Sequence, residues 1–308
     1  MPIDKQIAPI LQQFSELPAP DYGQLDAAQY RQFFDNMQPV IPGEPMSEVR
    51  NLRVAGAVGE LDARLYRPSE EHDLPLLVYF HGGGFVVGNL DTHDNLCRSL
   101  ARQTEAVVVS VAYRLAPEHP FPAAPLDCYQ ATCWLVKHAA ELGVDGSRLA
   151  LAGDSAGGNM ALAVSQLAAQ HQKPKISYQC LFYPVTDARN DSPSYAEFAE
   201  GFFLTANMMD WFWQQYLPKA GQGDDPLASP LRAASLAQMP PTTLITAEFD
   251  PLRDQGEAFA HRLREAGVSV RDQRCDGMIH GFISMAPVVE RAAQVLSEAA
   301  ADLRRALI

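Results

Sequence analysis

Short apolar runs alternate with amphipathic stretches through the middle of this chain, and that alternation leaves few folds open. Residues 74–80, 106–113, 149–152, 176–183 and 242–247 are strand-length runs rich in Val, Ile, Leu and Tyr. Helical patterns over 94–103 and 123–142 separate the first three; another, 156–170, precedes the fourth, and 254–266 follows the fifth. Strands apolar on both faces need cover from both sides, and intervening helices supply it. The pattern therefore predicts an α/β fold with a mostly parallel central sheet. An antiparallel hairpin, 49–54 with 60–66 around Gly56 and Gly59, comes before it. A more polar strand, 268–274, and a helix, 288–307, close it.

Two segments do not fit. Residues 1–45 begin as an amphipathic helix with Ile7, Ile10, Leu11 and Phe14 three and four apart, then are broken by Pro18, Pro20, Pro39, Pro42 and Pro45. Between Tyr183 and Thr242 no good strand appears, but an aromatic helix over 205–217 does. A structureless loop of that length is improbable in a compact domain, and an inserted lid explains it.

Composition narrows the function. With 308 residues, the chain has room for one large α/β domain with an appendage, or two modest domains. A formal net charge of −13 argues against nucleic acid or an anionic membrane as partner, since both need clustered Lys and Arg. Five widely spaced cysteines without a Cys-x-x-Cys predict neither a disulfide framework nor a zinc site. The start carries no signal-peptide pattern and no apolar run reaches membrane-spanning length, so the expected location is cytoplasmic. No metal-ligand spacing, phosphate loop or dinucleotide fingerprint occurs, so neither metal nor cofactor is expected.

The chemistry concentrates around Gly153-Asp154-Ser155-Ala156-Gly157, which follows the apolar run 149–152 and opens a helix. A serine there sits on a tight strand-to-helix turn with its hydroxyl exposed at the sheet edge. Such a hydroxyl becomes nucleophilic only with a base to take its proton and donors for the oxyanion. In open α/β sheets reactive groups gather beyond the carboxyl ends of the strands. Beyond residue 80 lies His81-Gly82-Gly83-Gly84-Phe85, whose glycines free the backbone to point N–H groups into a cavity. Beyond residue 247 come Glu248 and Asp250, two competing carboxylates, with Pro251 suited to the first position of the next helix. Of the histidines after Asp250, His261 falls on an amphipathic helix. His280 falls in the glycine-flanked loop 276–282 and is the better base. His93 and His119 lie in loops near the site and read as structural.

Together these segments, with 113–124, Gly157-Gly158-Asn159, Asp250-Pro251-Leu252-Arg253-Asp254 and His280-Gly281-Phe282, resemble the hormone-sensitive-lipase-like branch of the α/β-hydrolase esterases. The resemblance runs from about residue 75 to 285, with no departure at a catalytic position. It implies an α/β-hydrolase fold with a helical cap: a cap segment at 1–45, catalytic-domain parts at 46–184 and 236–308, and a cap insertion at 185–235. It implies Ser155 as nucleophile, His280 as base and then acid, and Asp250 orienting the imidazole. The backbone N–H groups of Gly83, Gly84 and Ala156 would form the oxyanion hole. The implied activity is hydrolysis of short- to medium-chain acyl esters, with a small-molecule ester as partner and a homodimer among the expected assemblies.

Three rivals stand beside it. An amide or carbamate hydrolase would use the same triad. An epoxide hydrolase or dehalogenase would carry aspartate in place of Ser155. A non-catalytic ligand receptor on this scaffold would typically lack the working histidine. The aromatics Phe202, Phe203, Trp211, Phe212 and Trp213 could line a substrate pocket or form the insertion's own core. Position favours Phe202 and Phe203 as substrate contacts.

Overall fold

Leu76, Val78 and Phe80 join one buried apolar cluster, while Leu77 and Tyr79 between them join another. Alternate residues of one strand therefore feed two cores, the environment of a parallel strand covered on both faces. The computed structural model describes residues 2–17, 21–37 and 41–308. Eight strands form one sheet: β1 (Glu48–Ala55), β2 (Glu60–Arg67), β3 (Leu74–Phe80), β4 (Val107–Val111), β5 (Val144–Asp154), β6 (Tyr178–Phe182), β7 (Thr242–Phe249) and β8 (Val270–Ile279). Their order is β1-β2-β4-β3-β5-β6-β7-β8. β2 runs antiparallel to β1 and β4, and every other pair is parallel.

The helices are α1 (Ala8–Ser15), α2 (Ala27–Asn36), α3 (Asp94–Thr104), α4 (Ala123–Lys137), α5 (Ala139–Leu142), α6 (Ala156–His171), α7 (Pro193–Glu197), α8 (Ala206–Tyr216), α9 (Arg253–Glu265) and α10 (Glu290–Leu307). α3 and α10 cover one face of the sheet; α4, α6 and α9 cover the other.

Four local expectations need correction. The helix expected over 123–142 breaks at His138, whose Nδ1 lies 2.8 Å from the Trp134 carbonyl and helps close α4. β5 begins at Val144, earlier than the apolar run. Asp145 and Arg148 bond each other at 2.7 Å there, so polar side chains are satisfied beside a paired backbone. β8 continues to Ile279 because Cys275, Met278 and Ile279 are fully buried, which puts His280 at a strand end and not in the middle of a loop. Pro251 lies in a turn before α9, which starts at Arg253.

Each of the two segments outside the alternation carries two of these helices, α1 and α2 in the first and α7 and α8 in the second, and the segments meet each other. α2 starts from Asp26, whose carboxylate accepts the Ala28 and Gln29 amides at 2.8 and 3.1 Å. Its Tyr30 packs edge-on against Trp211 of α8, with ring centres 5.3 Å apart, and also meets Phe212. Phe14 of α1 lies 4.7 Å from Phe203. Pro18, Pro20 and Pro39 lie outside the described residues; Pro42 and Pro45 sit in irregular backbone before β1.

Candidate active site

Asp154 ends β5 and Ala156 begins α6, leaving Ser155 alone to turn the chain. It does so at φ 54° and ψ −120°, outside the regions L-residues favour, at a cost of about 1–3 kcal/mol. Its neighbours hold that conformation. The Ser155 amide donates to the Phe182 carbonyl at 2.8 Å, and its carbonyl accepts the Val185 amide at 3.1 Å. Close packing finishes the turn: a Cβ on Gly157 would stand 1.9 Å from the Phe80 carbonyl oxygen, so only glycine fits.

Two further strands deliver the partners. Asp250 follows β7 and His280 follows β8, and all three side chains are buried. His280 Nδ1 lies 2.7 Å from Asp250 Oδ2, and Nε2 lies 2.9 Å from Ser155 Oγ. An ionised carboxylate only accepts, so this network assigns the ring proton to Nδ1 and leaves Nε2 to accept from the serine hydroxyl. The second carboxylate oxygen, Oδ1, accepts the Leu252 amide at 2.8 Å. Tyr183 packs against the imidazole at 4.6 Å. Glu248, the competing carboxylate, accepts the Gly277 amide at 2.7 Å instead. His261 is largely exposed beside Glu265.

The glycine loop follows β3. Gly83 and Gly84 have φ 122° and 58°, and the Gly83 carbonyl accepts the Val86 and Val87 amides at 3.0 and 2.9 Å. This tight turn leaves the Gly83 and Gly84 amides without a backbone acceptor among the described residues. Ala156, the first residue of α6, has no carbonyl four residues back within its helix. The Phe212 ring lies directly over Gly84, 2.3 Å from where a Cβ would be.

Sequence reasoning passed over Asp154. Its buried carboxylate accepts from the Tyr79 hydroxyl and from the Gly82 amide at 2.9 Å, and His93 Nε2 stands 3.4 Å away. Burial alone would raise its pKa; the nearby His93 and the Tyr79 hydroxyl hold it below the usual carboxylate value. Adjacent His81 is pushed down to about 4, chiefly by burial and then by the proximity of His93. The available signal was a carboxylate closing the apolar run 149–152, which burial obliges to find donors.

Among the aromatics, Trp211, Phe212 and Trp213 are buried, while Phe202 and Phe203 are half-buried. Phe202 stacks on Phe249 at 5.1 Å, next to Asp250 in the chain. Phe203 stands between Phe14 and Gly281, next to His280. Among the described residues no cluster of His, Cys, Asp and Glu suits a metal ion, and no helix is long and apolar enough to cross a membrane. All five cysteines are free.

A serine on a strand-to-helix turn, a histidine between it and a carboxylate, and a glycine turn with open amides thus meet at one edge of the sheet. The family profile described as alpha/beta hydrolase fold matches residues 77–284. The chain is 45% identical over 244 residues to the carboxylic ester hydrolase LipN of Mycobacterium tuberculosis, an alignment covering 77% of this chain and 65% of LipN. It is 39% identical over 275 residues to an ethyl acetate hydrolase of Pseudomonas putida, covering 87% and 86% of the two. The solved esterase of Pyrobaculum calidifontis superposes with a TM-score of 0.93 at 41% identity, covering 99% of each chain. The chain belongs to the α/β-hydrolase family, as a carboxylic ester hydrolase of its hormone-sensitive-lipase-like branch.

Proposed function

We propose that this chain hydrolyses short- to medium-chain acyl esters by two-step acyl transfer, with Ser155 as nucleophile, His280 as base and then acid, and Asp250 as the carboxylate that orients the imidazole. The observation carrying the reading is His280 spanning Asp250 and Ser155 at 2.7 and 2.9 Å. Ser155 Oγ attacks the acyl carbon as Nε2 takes its proton, and Asp250 stabilises the imidazolium that results. The developing oxyanion is held by the amides of Gly83, Gly84 and Ala156, donors that need no reorganisation as charge builds. The imidazolium then protonates the departing alcohol. Water, deprotonated by the same nitrogen, frees the acid and restores Ser155.

Residues 1–45 and 185–235 form the cap in this reading, with Phe202 and Phe203 as its substrate-facing wall. Both rings stand next to chain positions flanking the triad. A short acyl preference draws support from the Pseudomonas relative, named for ethyl acetate. Turnover of p-nitrophenyl butanoate by Ser155→Ala tests the reading. It is expected to fall about a millionfold, the scale of nucleophile loss in serine triads, whereas near-parental turnover would refute the reading. An ester panel from two to twelve acyl carbons, with matched amides, fixes the substrate range.

A further inference from the structure

α2 belongs to the N-terminal segment, remote in sequence from the chemistry, yet its Arg31 reaches the glycine turn. Nε donates to the Val86 carbonyl at 2.7 Å and Nη2 to the Ala116 carbonyl at 2.7 Å. The same guanidinium makes a two-pronged pair with Glu118, Nη1 to Oε1 and Nη2 to Oε2, both at 2.7 Å. Neither carbonyl is an arbitrary anchor. The Val86 amide hangs from the Gly83 carbonyl, and the Ala116 amide donates to the Phe85 carbonyl. Arg31 therefore grips the far side of the turn whose near side carries the open Gly83 and Gly84 amides. The next residue back, Tyr30, packs on Phe212, whose ring lies over Gly84. One helix thus reaches the turn by two independent routes.

We propose that Arg31 is a positioning residue for ester hydrolysis, fixing the oxyanion-binding turn through the Val86 and Ala116 carbonyls. This rests on the reading that Gly83 and Gly84 bind the oxyanion. Arginine suits the task because its planar fork addresses two carbonyls and a carboxylate at once, which a lysine ammonium cannot do. Glu118, held down to about 2 by its hydrogen bonds with Arg31, keeps the pair charged through the working pH range.

Because the oxyanion exists only after attack, loosening the turn weakens transition-state binding and spares ground-state binding. Arg31→Met keeps the aliphatic packing and removes the donors. For p-nitrophenyl butanoate, it is expected to lower kcat about 10- to 100-fold with KM within about twofold, since misplacing catalytic donors by about 1 Å costs on this scale. Affinity for a trifluoromethyl ketone, whose serine adduct carries the oxyanion, should fall by a matching factor. Arg31→Lys keeps the cation without the fork, and its kcat is expected to fall at least about threefold; it decides the matter if the Met variant does not fold. Parental kcat in a folded variant, or a loss carried by KM alone, overturns the proposal. Ser155→Ala separates the two ideas: if it turns over normally, the acyl-enzyme reading fails and takes this one with it. An inactive Ser155→Ala beside a fully active Arg31→Met removes this proposal alone.

Discussion

Asp250 shows how much one side chain is asked to do: Oδ1 accepts the Leu252 amide while Oδ2 faces His280. A carboxylate can accept at both oxygens, but an amide has one oxygen and one donor nitrogen. In Asp250→Asn, either the Leu252 amide or His280 Nδ1 must face an N–H. Keeping the turn intact would force the ring proton onto Nε2, the nitrogen meant to accept from Ser155. The expected outcome is a fall in kcat of about ten-thousandfold with an unchanged fold, measured by steady-state kinetics beside circular dichroism. Asp154 is a different case, since its carboxylate is taken up by Tyr79, Gly82 and His93. It joins the residue before Ser155 to the residue before Gly83, through the Gly82 amide. Asp154→Asn leaves a weaker, neutral acceptor for the Tyr79 hydroxyl and the Gly82 amide. We expect kcat to fall about tenfold or more with KM nearly constant, because charged acceptors hold donors about twice as strongly as neutral ones.

The elements that place these residues meet at distances allowing no added atom. The first turn of α6 crosses the end of β3 so closely that a Gly157 Cβ would overlap the Phe80 carbonyl, which is backbone and cannot rotate away. Gly157→Ala must push α6 off β3, and this displaces Ser155 from His280. Loss of at least about a hundredfold in kcat/KM is expected together with a lower melting temperature, both measurable on one preparation. Much of this level was legible in the sequence. The run 74–80 coincides with β3, and the turn around Ser155 was readable from two glycines and an apolar run. What escaped had physical reasons. The first part of β5 is polar, satisfied by Asp145 bonding Ser147 and Arg148, so apolar patterning could not find it. β8 outlasts its visible alternation because its own Cys275, Met278 and Ile279 are buried. Arg31 left no local signal at all, and Asp154 showed only as a carboxylate at the end of an apolar run, with nothing to name its donors. Their partners are carbonyls and amides up to 85 residues away, which only the assembled fold brings near.

Across the whole molecule, acid stability follows from what the sheet buries behind its glycine turn. His81 is fully buried, stacked on Tyr113 at 4.5 Å, with Nδ1 against the Gly82 carbonyl at 2.7 Å. Its pKa falls to about 4 from an ordinary 6.5, so between those values the unfolded chain binds a proton that the folded protein refuses. Stability therefore rises with pH across that window: the contribution is complete above about pH 6.5 and lost as pH falls through about 4, a difference of about 3 kcal/mol. Asp154 and Glu118 also lie below their ordinary values, so their contributions disappear further down, as pH falls below the usual carboxylate range. Glu118 is half exposed, and solvent screening leaves it little weight. An opposing effect comes from the net charge of −13, because protonating surface carboxylates relieves self-repulsion. The sum of these terms does not isolate His81, but a variant does. His81→Asn keeps an N–H near the Nδ1 position and removes the titration. Urea unfolding at pH 7.5, 6, 5 and 4.5 should show the parent losing stability relative to the variant as pH falls, with most of the divergence below pH 6. Parallel curves for the two proteins would mean that the buried imidazole does not govern acid unfolding.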